Sequence, residues 1–203
     1  MSRLRTGLTA SAVGLTLALA VPAAAADLTG TDGDDHLVGT TSADTITGLA
    51  GHDLIQADRG ADTVRGGPGD DLIYLGANPL LVGPSGDTAV GGLGDDTIFG
   101  GDGFDVIAGK AGDDTLVGGP GNNTLEDGYG ADVLIGGAVG DAVYLGPGRD
   151  RVYLLSGDDG LYVSVDDRID VIYCGAGYDR IWHGPAIDPK DRFYDCEEFS
   201  AGP

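Results

Sequence analysis

Residues 91–108 read GGLGDDTIFGGDGFDVIA, two nonapeptides in tandem. Each runs Gly, Gly, any residue, Gly, any residue, acid, any residue, aliphatic, any residue. The first unit supplies Gly91, Gly92, Gly94, Asp96 and Ile98, and the second Gly100, Gly101, Gly103, Asp105 and Ile107. A period of nine fits neither an amphipathic helix nor an ordinary alternating strand. It fits a six-residue turn followed by a three-residue strand. Glycine bends the turn because it enters positive φ without a Cβ clash, and the strand sends its middle side chain to one face and its neighbours to the other.

Outward from this stretch the acids keep the same spacing. They fall at Asp35, Asp44, Asp53, Asp62 and Asp71, each with an aliphatic residue two places later: Leu37, Ile46, Ile55, Val64 and Ile73. A slip of seven leads through Asn78 to Asp87. The period of nine then resumes through Asp96, Asp105, Asp114, Asn123, Asp132, Asp141, Asp150 and Asp159, and a slip of eleven leads to Asp170 and Asp179. Seventeen units are expected. The 203 residues include 38 Gly without the Gly-X-Y period of collagen. They hold only 4 Phe, 1 Trp and 1 Met, so a thin aliphatic core is expected rather than a wide aromatic one. Acids outnumber bases 33 to 11, for a net charge of -22, which repels nucleic acid and anionic membranes and points to cations as partners.

Four units match the full pattern, ending at Asp71 (Gly66, Gly67, Gly69), Asp96, Asp105 and Asn123 (Gly118, Gly119, Gly121); Gly109 and Gly112 precede Asp114 in a partial match. On these residues the chain resembles the RTX, or hemolysin-type, calcium-binding repeat family from about Gly30 to Trp182. The resemblance implies an all-β fold, a right-handed parallel β-roll or β-solenoid with two units per coil. It further implies that the sixth-position acid of each unit supplies carboxylate and the turn glycines supply carbonyl oxygens to calcium. The metal-ligating residues expected on this basis are the glycines named above with Asp35, Asp44, Asp53, Asp62, Asp71, Asp87, Asp96, Asp105, Asp114, Asn123 and Asp132.

Eighteen residues per coil would stack Asp35, Asp53, Asp71, Asp87, Asp105, Asn123, Asp141 and Asp159 on one edge. The other edge would carry Asp44, Asp62, Asn78, Asp96, Asp114, Asp132 and Asp150. Such columns repel unless cations sit between them. Calcium suits them, because it takes six to eight oxygens in flexible geometry, whereas magnesium demands a strict octahedron and dehydrates reluctantly. Zinc does not, with three His, two Cys and no ligand spacing among them. One buried aliphatic per nine residues is a meagre core, so folding is expected to depend on several calcium ions.

The ends read differently. Residues 1–26 carry Arg3 and Arg5, an apolar run Val13–Val21 and a small-residue run to Ala26, the pattern of a secretory signal peptide cut before Asp27. The roll is expected over 27–182, without a membrane span after cleavage, and the location is extracellular. Residues 183–203 are expected to form a C-terminal cap, with Cys196 able to pair with Cys174 in an oxidising compartment. No nucleophile motif or singular carboxylate pair marks a catalytic site, and His36 and His52 lie in turns, so no enzyme is expected. Outward residues Leu81, Phe99, Val117, Ile135, Tyr153 and Tyr173 form an apolar row. It suggests self-association or a cell-envelope or polysaccharide partner.

Overall fold

A computed structural model describes residues 24–76, 86–184 and 187–201. Over them the chain winds into an all-β parallel solenoid with one sheet of ten strands and one of nine. Successive strands alternate between the sheets, so every pairing joins residues one full coil apart. Leu116 lies between Ile98 and Leu134 in one sheet, and Leu125 between Ile107 and Val143 in the other. The strands are mostly three residues long, as in Thr97–Phe99 and Thr115–Val117. Their central side chains form two facing aliphatic rows with no solvent exposure, among them Ile55, Ile73, Ile98 and Leu116 opposite Val64, Ala89, Ile107 and Leu125. The flanking strand residues face outward. Most of the expected leader, residues 1–23, lies outside the described residues, and among those described no helix is long and apolar enough to cross a membrane.

The register differs from the expected one at the first slip. Val64 pairs directly with Ala89, and Ile73 with Ile98, so no rung centred near Asn78 separates them. A coil needs eighteen residues, and here the step between stacked residues is 25, so the additional seven do not add half a coil. Asn78 and Leu81 fall in 77–85, outside the described residues. All later assignments to edges therefore exchange: Asp71 stacks on Asp96 and Asp62 on Asp87. The outward row likewise passes from Tyr74, not Leu81, to Phe99. The slip of eleven is the same device on a smaller scale, two extra residues within one turn that leave Tyr153 paired with Tyr173.

Each end adds a rung to the repeat as read from the sequence. Asp27–Thr29 pairs with Thr45–Thr47. At the other end Arg192–Tyr194 and Glu198–Ala201 continue both sheets, so the terminal segment is itself a last coil. Phe193 lies over Ile172 and Phe199 over Ile181. Their rings meet edge to face at 5.1 Å, and a Cys174–Cys196 disulfide ties this coil to the one before it.

Candidate metal centre

All but one of the turns from Asp53 to Asp159 end in an acid, and its two oxygens have separate duties. Oδ1 faces the preceding coil. The backbone N–H of Asp53 donates to Oδ1 of Asp71 (2.9 Å), that of Asp71 to Asp96 (2.8 Å), that of Asp96 to Asp114 (2.8 Å) and that of Asp114 to Asp132 (2.7 Å). The other edge runs through Asp44, Asp62, Asp87, Asp105, Asn123, Asp141, Asp159 and Asp179 in the same way. The carboxylates are thus sutures between coils as well as charges, a role invisible in sequence because it joins residues at least eighteen positions apart.

Oδ2 faces into the turn. In Asp53, Asp71, Asp96, Asp105, Asp114 and Asp132 it is buried and accepts no hydrogen bond. What surrounds it is visible at Asn123, where an amide replaces the carboxylate. Asn123 Nδ2 donates to the carbonyl oxygens of Gly119 and Gly121, each at 3.1 Å. The second and fourth residues of the turn therefore aim their carbonyls at the second side-chain atom of the sixth. With Asn these groups satisfy one another; with Asp the same arrangement gathers oxygens alone, which requires a cation.

The three glycines of a unit have different tasks. Gly92 and Gly94 have φ of 142° and 116°, beyond easy reach of a side-chain-bearing residue. The first glycine keeps space open instead. A Cβ on Gly66 would meet Oδ2 of Asp71 and the Gly91 carbonyl oxygen at 2.9 Å; one on Gly109 would meet Oδ2 of Asp114 and the Asp127 carbonyl oxygen at 2.8 Å. The cradle beside the orphaned Oδ2 is thus lined by a carbonyl from the next coil. Gly48, Gly66, Gly91 and Gly109 open four successive cradles along one edge, and Gly100, Gly118 and Gly136 open three on the other. Elsewhere Ala57, Leu75, Leu145, Leu154, Val163 and Cys174 occupy the first position, and all join the hydrophobic interior. Those turns carry core where the others carry an oxygen-lined space.

Burial sets the electrostatics. It pushes the Asp71 carboxyl up to about 6 and those of Asp96 and Asp114 up to about 7. The Asp53, Asp71 and Asp96 backbone hydrogen bonds partly oppose the shift, while neighbouring carboxylates of the column add to it. The ionised forms are costly without a counter-charge and natural with one. Oxygen-only donors in a flexible turn fit calcium. Oδ2 of Asp53, Asp71, Asp96, Asp105 and Asp114 and the turn carbonyls would hold the ions, whose chemistry is to neutralise and crosslink adjacent coils.

Not every expected ligand fits equally. Oδ2 of Asp35 accepts from the Thr31 N–H and hydroxyl, and Oδ2 of Asp44 accepts from the Thr40 N–H, so local donors serve these two carboxylates. Beside Asp62 stands Ala57, and the turn to Asp87 begins with Leu75. Asn123 is satisfied internally. Sequence reading passed over Asp127, which opens the turn leading to Asp132 in the place of a first glycine; the signal was the acid in Asp127-Gly128-Tyr129-Gly130-Ala131-Asp132.

A parallel solenoid whose turns converge buried carboxylate and carbonyl oxygens is a divalent-cation-binding repeat protein. The chain belongs to the RTX calcium-binding nonapeptide repeat family, which matches it in overlapping blocks over residues 29–64, 49–78, 83–116, 90–125, 109–143, 117–152 and 126–161. These repeats bind calcium ions. No curated protein matches the chain.

Proposed function

We propose that the protein is exported, cleaved before Asp27, and folded by the calcium it meets outside the cell, where it serves as a structural or binding element rather than an enzyme. Residues 27–182 form the roll and 183–203 close it. The observation that carries this reading is the succession of buried, unpartnered Oδ2 atoms beside glycine-opened cradles. A fold with many such atoms and one aliphatic side chain per unit lacks a driving force until cations arrive. The Cys174–Cys196 disulfide supports an oxidising destination. Circular dichroism of the chain from Asp27, titrated from chelator to millimolar calcium, is expected to pass from disordered to β-rich. Full β structure in chelator would refute the coupling. N-terminal sequencing of the exported product tests the cleavage point.

A second reading concerns the outer faces. Aromatic rings stack along them, Tyr153 on Tyr173 on Tyr194 in one sheet and Tyr144 on Tyr162 on Trp182 in the other, with centroids 4.6 to 5.2 Å apart. Together with Tyr74, Phe99, Val117 and Ile135 they support contact with polysaccharide, the cell envelope or a second copy. Lysine at Phe99 and Ile135 is expected to abolish any concentration-dependent sedimentation of the calcium-loaded protein. Persistence of self-association would assign it elsewhere.

A further inference from the structure

Among the described residues, the turn Asp127–Asp132 departs from the others in opening with an acid. Its first position, glycine in the five preceding turns of that edge, carries a carboxylate directed into the cradle. Asp127 has no solvent exposure, and Asp132 and Asp150 have 1% each. One ligand oxygen from each of the three lies within 4.8 Å of the others. That is the span of oxygens around one calcium ion, whose bonds are about 2.3–2.6 Å long. All three Oδ2 atoms lack a hydrogen-bond partner. The other oxygen of each carboxyl is already engaged: Asp127 Oδ1 accepts from the N–H groups of Gly128 and Gly146, both at 2.6 Å, Asp132 Oδ1 from Asp114 N–H, and Asp150 Oδ1 from Asp132 N–H. The carboxyls are therefore held with their second oxygens turned inward. The ion pairs of the described residues, His52–Asp70, Lys110–Glu126, Arg180–Glu198 and Lys190–Asp167, involve none of them.

We propose that Asp127, Asp132 and Asp150 form a separate calcium site, tighter and slower to empty than the glycine-opened sites, in which three buried carboxylates hold one ion. The inference rests on the reading of the chain as a calcium-folded roll and singles out one seat within it. A glycine-opened cradle offers the sixth-position carboxylate with neutral carbonyls, whereas this seat adds the first-position carboxylate. Calcium affinity rises with the number of charged ligands and with site rigidity. Leu145 plugs the following turn of the same edge, so the seat closes the run of cradles. In its own turn Asp150 has Leu145 at the first position in place of an open cradle; Asp127 and Asp132 bring its carboxylate into a shared cluster.

The test uses calcium as the probe on the full calcium-folded chain and its Asp127→Gly and Asp127→Asn variants. Calcium content is read by elemental analysis after passage over a chelating resin, and total binding by calorimetry before it. The Gly variant restores the first residue of neighbouring turns, and the Asn variant preserves the shape and the Oδ1 contacts. The parent is expected to keep one calcium per chain after the resin. Both variants should keep none, and their tightest calorimetric class should weaken at least about tenfold while the weaker classes stay. A retained ion in the variants, or none in a parent that otherwise binds calcium, overturns the assignment of this seat. A parent that binds no calcium before the resin overturns the underlying reading instead.

Discussion

Replacing Asp96 by Asn inverts the sign of its effect between metal-free and calcium-loaded protein. Burial raises the Asp96 carboxyl from 3.8 to about 7, so near pH 8 without metal its ionised form costs the fold about 4 kcal/mol. An Asn keeps the suture, since its Oδ1 can still accept the Asp71 N–H now held at 2.8 Å. Its Nδ2 can donate to the Gly92 and Gly94 carbonyls as Asn123 does to those of Gly119 and Gly121. In chelator the variant should therefore be more stable by up to about 4 kcal/mol. In calcium it loses an ion, and that loss outweighs the gain once free calcium exceeds about one thousand times the dissociation constant, where it passes about 4 kcal/mol. The assay is urea denaturation followed by circular dichroism, with trimethylamine oxide added to bring the metal-free chain into the measurable range. Equal destabilisation under both conditions would refute the reasoning, because it would reduce the carboxylate to its hydrogen bond.

Three further outcomes follow from the same geometry. Because burial raises the carboxyls of Asp71, Asp96, Asp114 and Asp132 to about 6 or 7, the metal-free fold binds protons that the unfolded chain has lost. Its stability must fall as pH rises from about 4 through about 7, so the ellipticity of chelated protein should become more β-like on acidification from about pH 8 to 5; a flat profile contradicts the assigned burial cost. Leucine at Gly109 should plug the cradle beside Asp114 as Leu145 plugs its own turn, lowering calorimetric stoichiometry while leaving calcium-loaded β content intact. An unchanged stoichiometry would show that the first position does not gate the site. Reduction of Cys174–Cys196, which span 22 residues, should cost about 3 kcal/mol and raise hydrogen exchange first in Arg192–Ala201; uniform loss of protection would mean the bond staples the whole roll.

The period, the three-residue strands and the aliphatic rows were legible in the sequence because each depends on residues within one unit. The assignment of acids to edges was not. Asn78 and Leu80 reproduce the acid-like and aliphatic spacing of a true rung, and only pairing with distant coils separates a rung from a longer step between coils. The same long-range dependence hid the Oδ1 sutures and placed Leu81 in a row that belongs to Tyr74. The gating role of the first position was written in plain letters, Gly at 66, 91 and 109 against Leu at 75, 145 and 154. Its meaning needed the geometry, which aims a first-position Cβ at the free carboxylate oxygen rather than at solvent. Asp127 escaped notice for that reason: in composition it is one acid among 33.

The step of 25 residues from Asp62 to Asp87 and from Asp71 to Asp96 bears on how such a chain can change length. Seven residues enter there without disturbing a single later pairing, because Val64 still meets Ala89 and Ile73 still meets Ile98. Removal of one nonapeptide elsewhere would instead transpose every downstream turn to the opposite edge, setting leucine plugs above open cradles. Growth and shrinkage of the rod are therefore quantised in whole windings, while decoration at its corners is continuous.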